Sequence, residues 1–111
     1  MSDHPIETDV KSVKRLMDEG AEFTLIDCRE THEHQTARID GSVLIPMSEF
    51  VSRLGEIETL RESHVVVHCH HGGRSMQVTQ YLRQQGFTQV QNMAGGIDAW
   101  SLEVDPAVPR Y

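Results

Sequence analysis

The stretch from Val65 to Gln85 constrains the fold of this chain more than any other. Its first four residues, VVVH, are rich in β-branched side chains and predict a buried strand. Cys69 follows the strand, a turn with two glycines comes next, and a helical pattern runs from Ser75 to Gln85, with Ser75 expected to cap the helix. Such a strand-to-helix loop favours anions, because free backbone N–H groups and the positive end of the helix dipole converge there.

Cys69 lies at this junction, and we interpret it as a reactive nucleophile. A thiolate is an anion, so three features are expected to lower its pKa: the helix N-terminus, the N–H groups that Gly72 and Gly73 can turn inward, and the charge of Arg74. The alternative is a structural core cysteine, which the Gly-Gly-Arg context disfavours. A soft nucleophile in an anion-binding loop suits attack on sulfur or phosphorus.

The rest of the chain predicts one domain of α/β class. Apolar runs predict strands at 23–27, 43–45, 64–68 and 89–93, and helical spacing predicts helices or helical turns at 10–17, 31–36, 48–54, 57–60, 75–85 and 97–100. Residues 1–4 are expected to be flexible and residues 103–111 to form an extended tail. Because strands alternate with helices and read as buried runs, we expect a mostly parallel sheet flanked by helices on both faces.

Two polar clusters follow strands of this sheet: residues 27–30, DCRE, and the loop from Cys69 to Arg74. Ligands of parallel sheets bind outside the carboxyl ends of the strands, so both clusters are expected to face one pocket. Asp27, Arg29 and Glu30 are candidates to line it. Asp27 and Glu30 are also the expected carboxylate partners of Arg74, and Arg29 either lines the pocket or forms a structural ion pair.

Charge and hydropathy argue against several classes of function. The chain has 10 Lys and Arg against 17 Asp and Glu, a net charge of −7, which disfavours nucleic acid and anionic membranes as partners. No apolar run approaches the roughly 20 residues that span a bilayer. The polar N-terminus does not resemble a signal peptide, and two cysteines suit a reducing compartment, so a cytoplasmic location is expected.

Residues 69–75, CHHGGRS, resemble the active-site loop of rhodanese-type sulfurtransferases, which reads Cys-x-x-Gly-x-Arg. Further similar segments follow in the family's order: LIDCRE at 25–30, ARIDGS at 37–42 with IP at 45–46, GF at 86–87 and GGIDAW at 95–100. Residues 104–111 resemble the end of rhodanese domains fused to the ubiquitin-activating-like enzymes of molybdopterin and thiamine biosynthesis. The resemblance implies a single rhodanese-like domain over residues 1–111, with a central, mostly parallel five-stranded sheet.

The resemblance also implies a function. Cys69 would carry a sulfane sulfur as a persulfide, within a binding loop formed by His70, His71, Gly72, Gly73, Arg74 and Ser75. Thiosulfate:cyanide activity in vitro is expected, with no cofactor, and the partners are a small sulfane-sulfur donor (thiosulfate, persulfide or polysulfide) and a sulfur-acceptor protein.

The length of the loop bears on the reaction. It closes in six residues, Cys69 to Arg74, whereas related phosphatases and arsenate reductases have one residue more, which favours sulfur transfer. The alternatives are a Cys-dependent phosphatase or arsenate reductase, and a non-catalytic or redox-sensing module that binds a partner.

Two departures from the family pattern leave questions open. Cys28 stands where the family usually has valine, and it is either a resolving thiol that converts the persulfide into a disulfide or a small core residue. His70-His71 replaces the more basic loop of thiosulfate-using members, which argues against thiosulfate as the physiological donor. The seven histidines form no familiar four-ligand set, so no metal is predicted, and His68 is expected in the core.

Overall fold

In the computed structural model, which describes residues 4–111, the chain forms a five-stranded sheet with helices on both faces. The elements are β1 (Glu7–Thr8), α1 (Val10–Asp18), β2 (Thr24–Asp27), α2 (Thr31–Thr36), β3 (Val43–Leu44), two 3₁₀ segments (Met47–Glu49 and Leu54–Leu60), β4 (Val65–His68), α3 (Gly73–Gln84), β5 (Val90–Met93) and α4 (Gly96–Glu103). Residues 1–3, most of the segment expected to be flexible, lie outside the described residues. His4 is described, and its ring stacks on His64.

The sheet places β4 at its centre, with the strand order β1-β5-β4-β2-β3 and parallel pairing throughout. Asp27 at the end of β2 lies opposite His68 at the end of β4. The two polar clusters therefore leave the sheet side by side, at the edge where ligands of parallel sheets bind. The predicted five-stranded parallel α/β architecture is confirmed.

Two apolar cores cover the two faces of the sheet. Successive strand residues point to opposite faces, so Val65 and Val67 pack into one core while Val66 packs into the other. The first core includes Val78 and Leu82 of α3, and the second includes residues of α1 and α4. Because β4 is buried on both faces, it begins with three successive valines instead of alternating apolar and polar residues, and His68 is buried as well.

Two elements near the sheet edges differ from expectation. β1 is a polar two-residue strand that the sequence pattern does not indicate, and backbone hydrogen bonds hold it, among them the Asn92 N–H to the Ile6 carbonyl at 2.7 Å. The helix expected at 48–54 does not form as one element: residues 50–53 are a turn between the two 3₁₀ segments, the second of which has non-helical dihedrals at Ile57. Within residues 4–111, no helix combines the length and apolar character needed to cross a bilayer.

The expected extended tail instead folds back on the domain. α4 continues to Glu103, and a turn follows in which the Val108 N–H donates to the Asp105 carbonyl at 3.1 Å. Val108 is 9% exposed and packs into the second core. This anchor directs the last residues, Arg110 and Tyr111, back toward the loop that follows β4.

Candidate active site

Cys69 leaves the end of β4 and is surrounded by hydrogen-bond donors from the loop and from α3. Its side chain is almost fully buried, with 1% exposure. The backbone N–H of Gly72 donates to Sγ at 3.1 Å and that of Ser75 at 3.4 Å, while the Ser75 hydroxyl lies 3.3 Å from Sγ. Gly72 has φ +114°, a value in the region that favours glycine, and this conformation turns its N–H inward.

These donors control the ionisation of the thiol. Burial opposes the thiolate, but hydrogen bonds from the hydroxyl and N–H of Ser75 and from the N–H of Gly72 outweigh it, so the pKa of Cys69 lies below its ordinary value. A thiolate stabilised in this way is a better nucleophile at neutral pH than an ordinary cysteine.

Ser75 does not cap α3, contrary to expectation. The N-cap is Gly72, and Ser75 is the third residue of the helix. Its hydroxyl faces Cys69 and also donates to the Asn92 Oδ1, while the Asn92 amide donates to the Glu7 carboxylate at 3.0 Å. Because a hydroxyl has one proton, Ser75 donates to one of its two neighbours at a time.

The N-terminus of α4 holds the loop from the other side. The Ile97 N–H donates to the Cys69 carbonyl at 3.0 Å, and the Asp98 N–H donates to the His70 carbonyl at 3.1 Å. A Cβ at Gly96, which has φ +59°, would overlap both carbonyl oxygens. The glycine therefore permits the close approach that lets helix N–H groups bind the loop.

Arg74 pairs with Glu33 and not with Asp27 or Glu30, the two predicted partners. Its two terminal nitrogens contact the two oxygens of Glu33 at 2.7 and 2.9 Å. This bidentate pair lowers the pKa of Glu33 to about 2. The Glu30 N–H also donates to Glu33, at 3.1 Å, as part of the capping box of α2. The loop is thus tied to the helix that follows β2.

Asp27 and Arg29 form an ion pair below the loop instead of lining an open pocket. Both side chains are fully buried, and the Arg29 Nη2 and Nε lie 2.8 and 2.9 Å from the two Asp27 oxygens. His34 also contacts Asp27, at 3.0 Å. Glu30 accepts a hydrogen bond from Ser48 at 2.7 Å and caps α2. All three candidate lining residues therefore serve the local structure of β2 and α2.

Tyr111 completes the site from the tail. Its hydroxyl accepts a hydrogen bond from Arg29 at 2.8 Å and donates one to Glu33 at 2.8 Å. Its ring stacks on His70 with a centroid distance of 4.0 Å, and His71 stacks on the other side of His70 at the same distance. Sequence reasoning placed Tyr111 in an extended tail and did not connect it to the loop.

Cys28 lies next to Cys69 across the sheet. It follows β2, its N–H donates to the His68 carbonyl at 3.0 Å, and both cysteines pack into the first core. Burial, reinforced by the neighbouring Cys69, raises the pKa of Cys28 well above its ordinary value. Cys28 is therefore a protonated thiol at neutral pH, which suits a small core residue, and a resolving role stays a prediction.

His68 and a cluster that includes His70 and His71 bear on the expectations for histidine. His68 is fully buried, as expected for a core histidine, and burial lowers its pKa to about 4. His70, His71 and Asp98 bring ligand atoms within 4.8 Å of one another. Asp98, however, already pairs with Arg110 at 2.9 Å, so a metal would compete with a formed ion pair.

Sequence reasoning missed three residues of the site: Glu33, Asn92 and Tyr111. A local signal existed for Glu33, because Glu30 and Glu33 have the spacing of a capping box, although that signal concerns the helix and not Arg74. Asn92 and Tyr111 reach the site only through tertiary contacts, and their local sequence carries no such signal.

Comparison with known proteins gives a consistent result. A family profile described as "Rhodanese-like domain" matches residues 9–103. Rhodanese-like/PpiC domain-containing protein 12, chloroplastic, of Arabidopsis thaliana is 42% identical over 92 residues, which cover 81% of this chain and 31% of that protein. Adenylyltransferase and sulfurtransferase MOCS3-1 of Zea mays is 38% identical over 106 residues, which cover 91% of this chain and 23% of that protein.

Two proteins of similar length also match. A protein named Sulfurtransferase from Allochromatium vinosum is 34% identical over 102 residues, covering 92% of this chain and 94% of its own. The solved structure of the human single domain sulfurtransferase TSTD1 is 27% identical with a TM-score of 0.80, covering 90% of this chain and 98% of that chain. By contrast, this chain spans less than a third of the length of the two plant relatives.

Proposed function

This chain belongs to the family of rhodanese-like domains, and on that basis we propose that it transfers sulfane sulfur through a persulfide on Cys69. The observation that carries the proposal is the set of donors around Sγ: two backbone N–H groups and one hydroxyl converge on a buried thiol whose pKa they lower. We expect the N–H groups of the loop to stabilise the persulfide as well, because its terminal sulfur is an anion.

The proposed reaction has two displacements. The Cys69 thiolate attacks the outer sulfur of a sulfane-sulfur donor, a new S–S bond forms, and the rest of the donor leaves with the electron pair of the broken bond. With thiosulfate the leaving group is sulfite. A nucleophile on the acceptor then attacks the outer sulfur of the persulfide, and the Cys69 thiolate leaves.

The charge around the loop supports a donor with little negative charge. Glu33 neutralises Arg74 through a bidentate contact, and His70 and His71 are the other basic residues of the loop. A dianion such as thiosulfate therefore meets a weak cationic field. We propose a low-molecular-weight persulfide as the better donor, because its sulfane group carries at most one negative charge, with thiosulfate:cyanide activity as a slower reaction in vitro.

The acceptor is proposed to be a protein or small thiol reached in the cytoplasm. Relatives named as adenylyltransferase and sulfurtransferase support a sulfur-acceptor protein, although this chain corresponds to less than a third of those relatives. Nucleic acid and membranes are not proposed as partners, in keeping with the net charge of −7.

Intact-protein mass spectrometry after incubation with a sulfane-sulfur donor tests the proposal. We expect a mass gain of one sulfur atom that maps to Cys69 and is lost on reduction. The adduct should form in Cys28→Ser and be absent in Cys69→Ser. Persistent lack of an adduct with thiosulfate, a persulfide and a polysulfide would refute the proposal.

The same preparation distinguishes the other functions. Turnover of an aryl phosphate that depends on Cys69 would indicate a phosphatase, and arsenate reduction would indicate a reductase. Capture of a partner protein without any sulfur adduct would indicate a binding module. A donor-induced disulfide between Cys28 and Cys69, with release of hydrosulfide, would establish Cys28 as a resolving thiol.

A further inference from the structure

We propose that Tyr111 is a positioning residue for the sulfur-binding loop, acting through Glu33 on Arg74 and through its ring on His70. The consequence for catalysis rests on the proposed function, whereas the effect on the loop itself does not. Three observations support the inference. The Tyr111 hydroxyl bonds to two ion pairs, its ring stacks on His70, and the tail that carries it is anchored to the domain.

The Tyr111 hydroxyl joins two ion pairs that are otherwise separate. It accepts from Arg29, whose guanidinium is already fixed by Asp27, and donates to the Glu33 oxygen that also binds the Arg74 Nη2. Arg29 is fully buried, and Asp27 and the Ala37 carbonyl bind its guanidinium independently of the loop. The hydroxyl therefore fixes the carboxylate of Glu33 relative to the sheet, and Glu33 fixes Arg74.

The Tyr111 hydroxyl is protonated at neutral pH, as its two hydrogen bonds require. Burial raises the pKa of Tyr111, and the hydrogen bond to Glu33 raises it further. The hydrogen bond from Arg29 lowers the pKa, but the net effect is a rise. A protonated phenol is both donor and acceptor, which the two contacts require.

The ring of Tyr111 packs on His70, the residue that directly follows Cys69. It lies nearly parallel to His70, at an angle of 8° and a centroid distance of 4.0 Å. The Arg29 guanidinium lies 5.6 Å from the centroid of the Tyr111 ring, within the range of a cation–π contact. His70 directly follows Cys69, so restricting its ring restricts the start of the loop.

The tail holds Tyr111 in this place. Val108 is buried in the second core, and Arg110 pairs with Asp98 at 2.9 Å. Asp98 belongs to α4, whose N-terminus binds the Cys69 and His70 carbonyls. The ordering of Tyr111 is thus supported from the same helix that holds the loop, which reduces the entropy cost of its contacts.

Two substitutions separate the contributions of hydroxyl and ring. Tyr111→Phe removes the bridge to Glu33 and leaves the stacked ring, and Tyr111→Ala removes both. Tyr81→Phe is the matched control, because Tyr81 is a half-buried tyrosine of α3 that packs against the first core. If Tyr111→Ala fails to fold, Tyr111→Phe still tests the bridge.

The first measurement compares alkylation of Cys69 by iodoacetate, an anion, with alkylation by neutral iodoacetamide. If Tyr111 positions Arg74 toward the sulfur, Tyr111→Phe lowers the ratio of the two rates by up to about three- to tenfold, since the free energy of one lost hydrogen bond sets the limit. A general loss of stability would change both rates together and leave the ratio unchanged. An unchanged ratio in Tyr111→Phe, or an equal change in Tyr81→Phe, would overturn the proposal.

The second measurement follows the His70 ring protons by NMR. Their ring-current shifts should persist in Tyr111→Phe and fall in Tyr111→Ala to the part that the stacked His71 ring produces. Identical spectra for all variants would contradict the role of the Tyr111 ring. In the sulfurtransferase assay, Tyr111→Phe should raise the KM for an anionic donor with little change in kcat. Because alkylation and NMR need no turnover, they test Tyr111 even if the sulfur-transfer proposal fails.

Discussion

At the scale of single residues, Ser75 has the largest influence on the ionisation of Cys69. Burial disfavours the thiolate, and the Ser75 hydroxyl is the strongest of the groups that oppose this. The Ser75 hydroxyl also contacts Asn92, so it must turn toward the sulfur when Cys69 loses its proton. Asn92 therefore affects the thiol indirectly, because it accepts the Ser75 hydrogen bond while Cys69 is protonated.

We predict that Ser75→Ala raises the pKa of Cys69 toward its ordinary value, because a hydrogen bond that lowers the pKa is lost. Alkylation by iodoacetamide at neutral pH should slow about fivefold, which corresponds to roughly 1 kcal/mol for one net hydrogen bond. The pH dependence of the rate measures the shift, and its midpoint should move upward. Ser101→Ala is the control, since Ser101 is a buried serine whose hydroxyl donates to the Ile97 carbonyl at 3.1 Å. A midpoint unchanged from the wild type would contradict the role given to Ser75.

The candidate nucleophile could be proposed from local sequence, but the residues that contact it from distant parts of the chain could not. Cys69 is recognisable because strand, glycines and helix are adjacent in the chain. The partner of Arg74 was predicted among Asp27 and Glu30, since both follow the neighbouring strand. The structure selects Glu33, because α2 turns its third residue toward the loop and Asp27 is already saturated by Arg29 and His34.

At the scale of elements, the close contact between α4 and the loop depends on Gly96. We predict that Gly96→Ala destabilises the fold by about 2–4 kcal/mol, from a disfavoured positive φ and from overlap of the new Cβ with two carbonyl oxygens. Chemical unfolding measures this loss. Gly20→Ala is the control, because Gly20 also has a positive φ, +67°, while its Cβ would meet no atom within 4 Å among the described residues. Equal losses in both variants would show that the contact with the loop contributes nothing.

The elements that sequence predicted well are those with long apolar patterns. The central strands and α1 and α3 lie close to their expected positions, because burial against the sheet dictates their periodicity. β1 and the tail were not predictable, since Glu7–Thr8 is too short for a pattern and Val108 is an isolated apolar residue. Their structure comes from contacts with parts of the domain that are distant in sequence.

At the scale of the whole molecule, the pair between Glu33 and Arg74 links stability to pH. The pKa of Glu33 is about 2 in the folded state, below the ordinary value of 4.5 that applies to the unfolded chain. The stabilisation is therefore fully present above about pH 4.5 and is lost as the pH falls toward 2.

We predict that Glu33→Gln lowers the free energy of unfolding by about 2 kcal/mol at neutral pH, after allowance for solvent screening. The difference from the wild type should shrink as the pH falls from 4.5 toward 2, because the wild-type carboxylate becomes protonated. Urea unfolding across this range measures it. Glu56→Gln is the matched control, since Glu56 pairs with Arg53 at 2.9 Å on the exposed surface and should have a much smaller effect. A constant difference between wild type and Glu33→Gln at all pH values would contradict the prediction.

The contacts of the site span very different distances along the chain, and this bears on the order of folding. The donors to Cys69 come from residues 3 and 6 positions away, whereas Glu33 lies 41 positions from Arg74 and 78 from Tyr111. Contacts of low contact order form early, and those that close long loops form late. We therefore expect the thiol to gain its hydrogen-bond donors when β4 and α3 meet during folding. We expect the contacts that orient Arg74 to be completed later, when the tail docks.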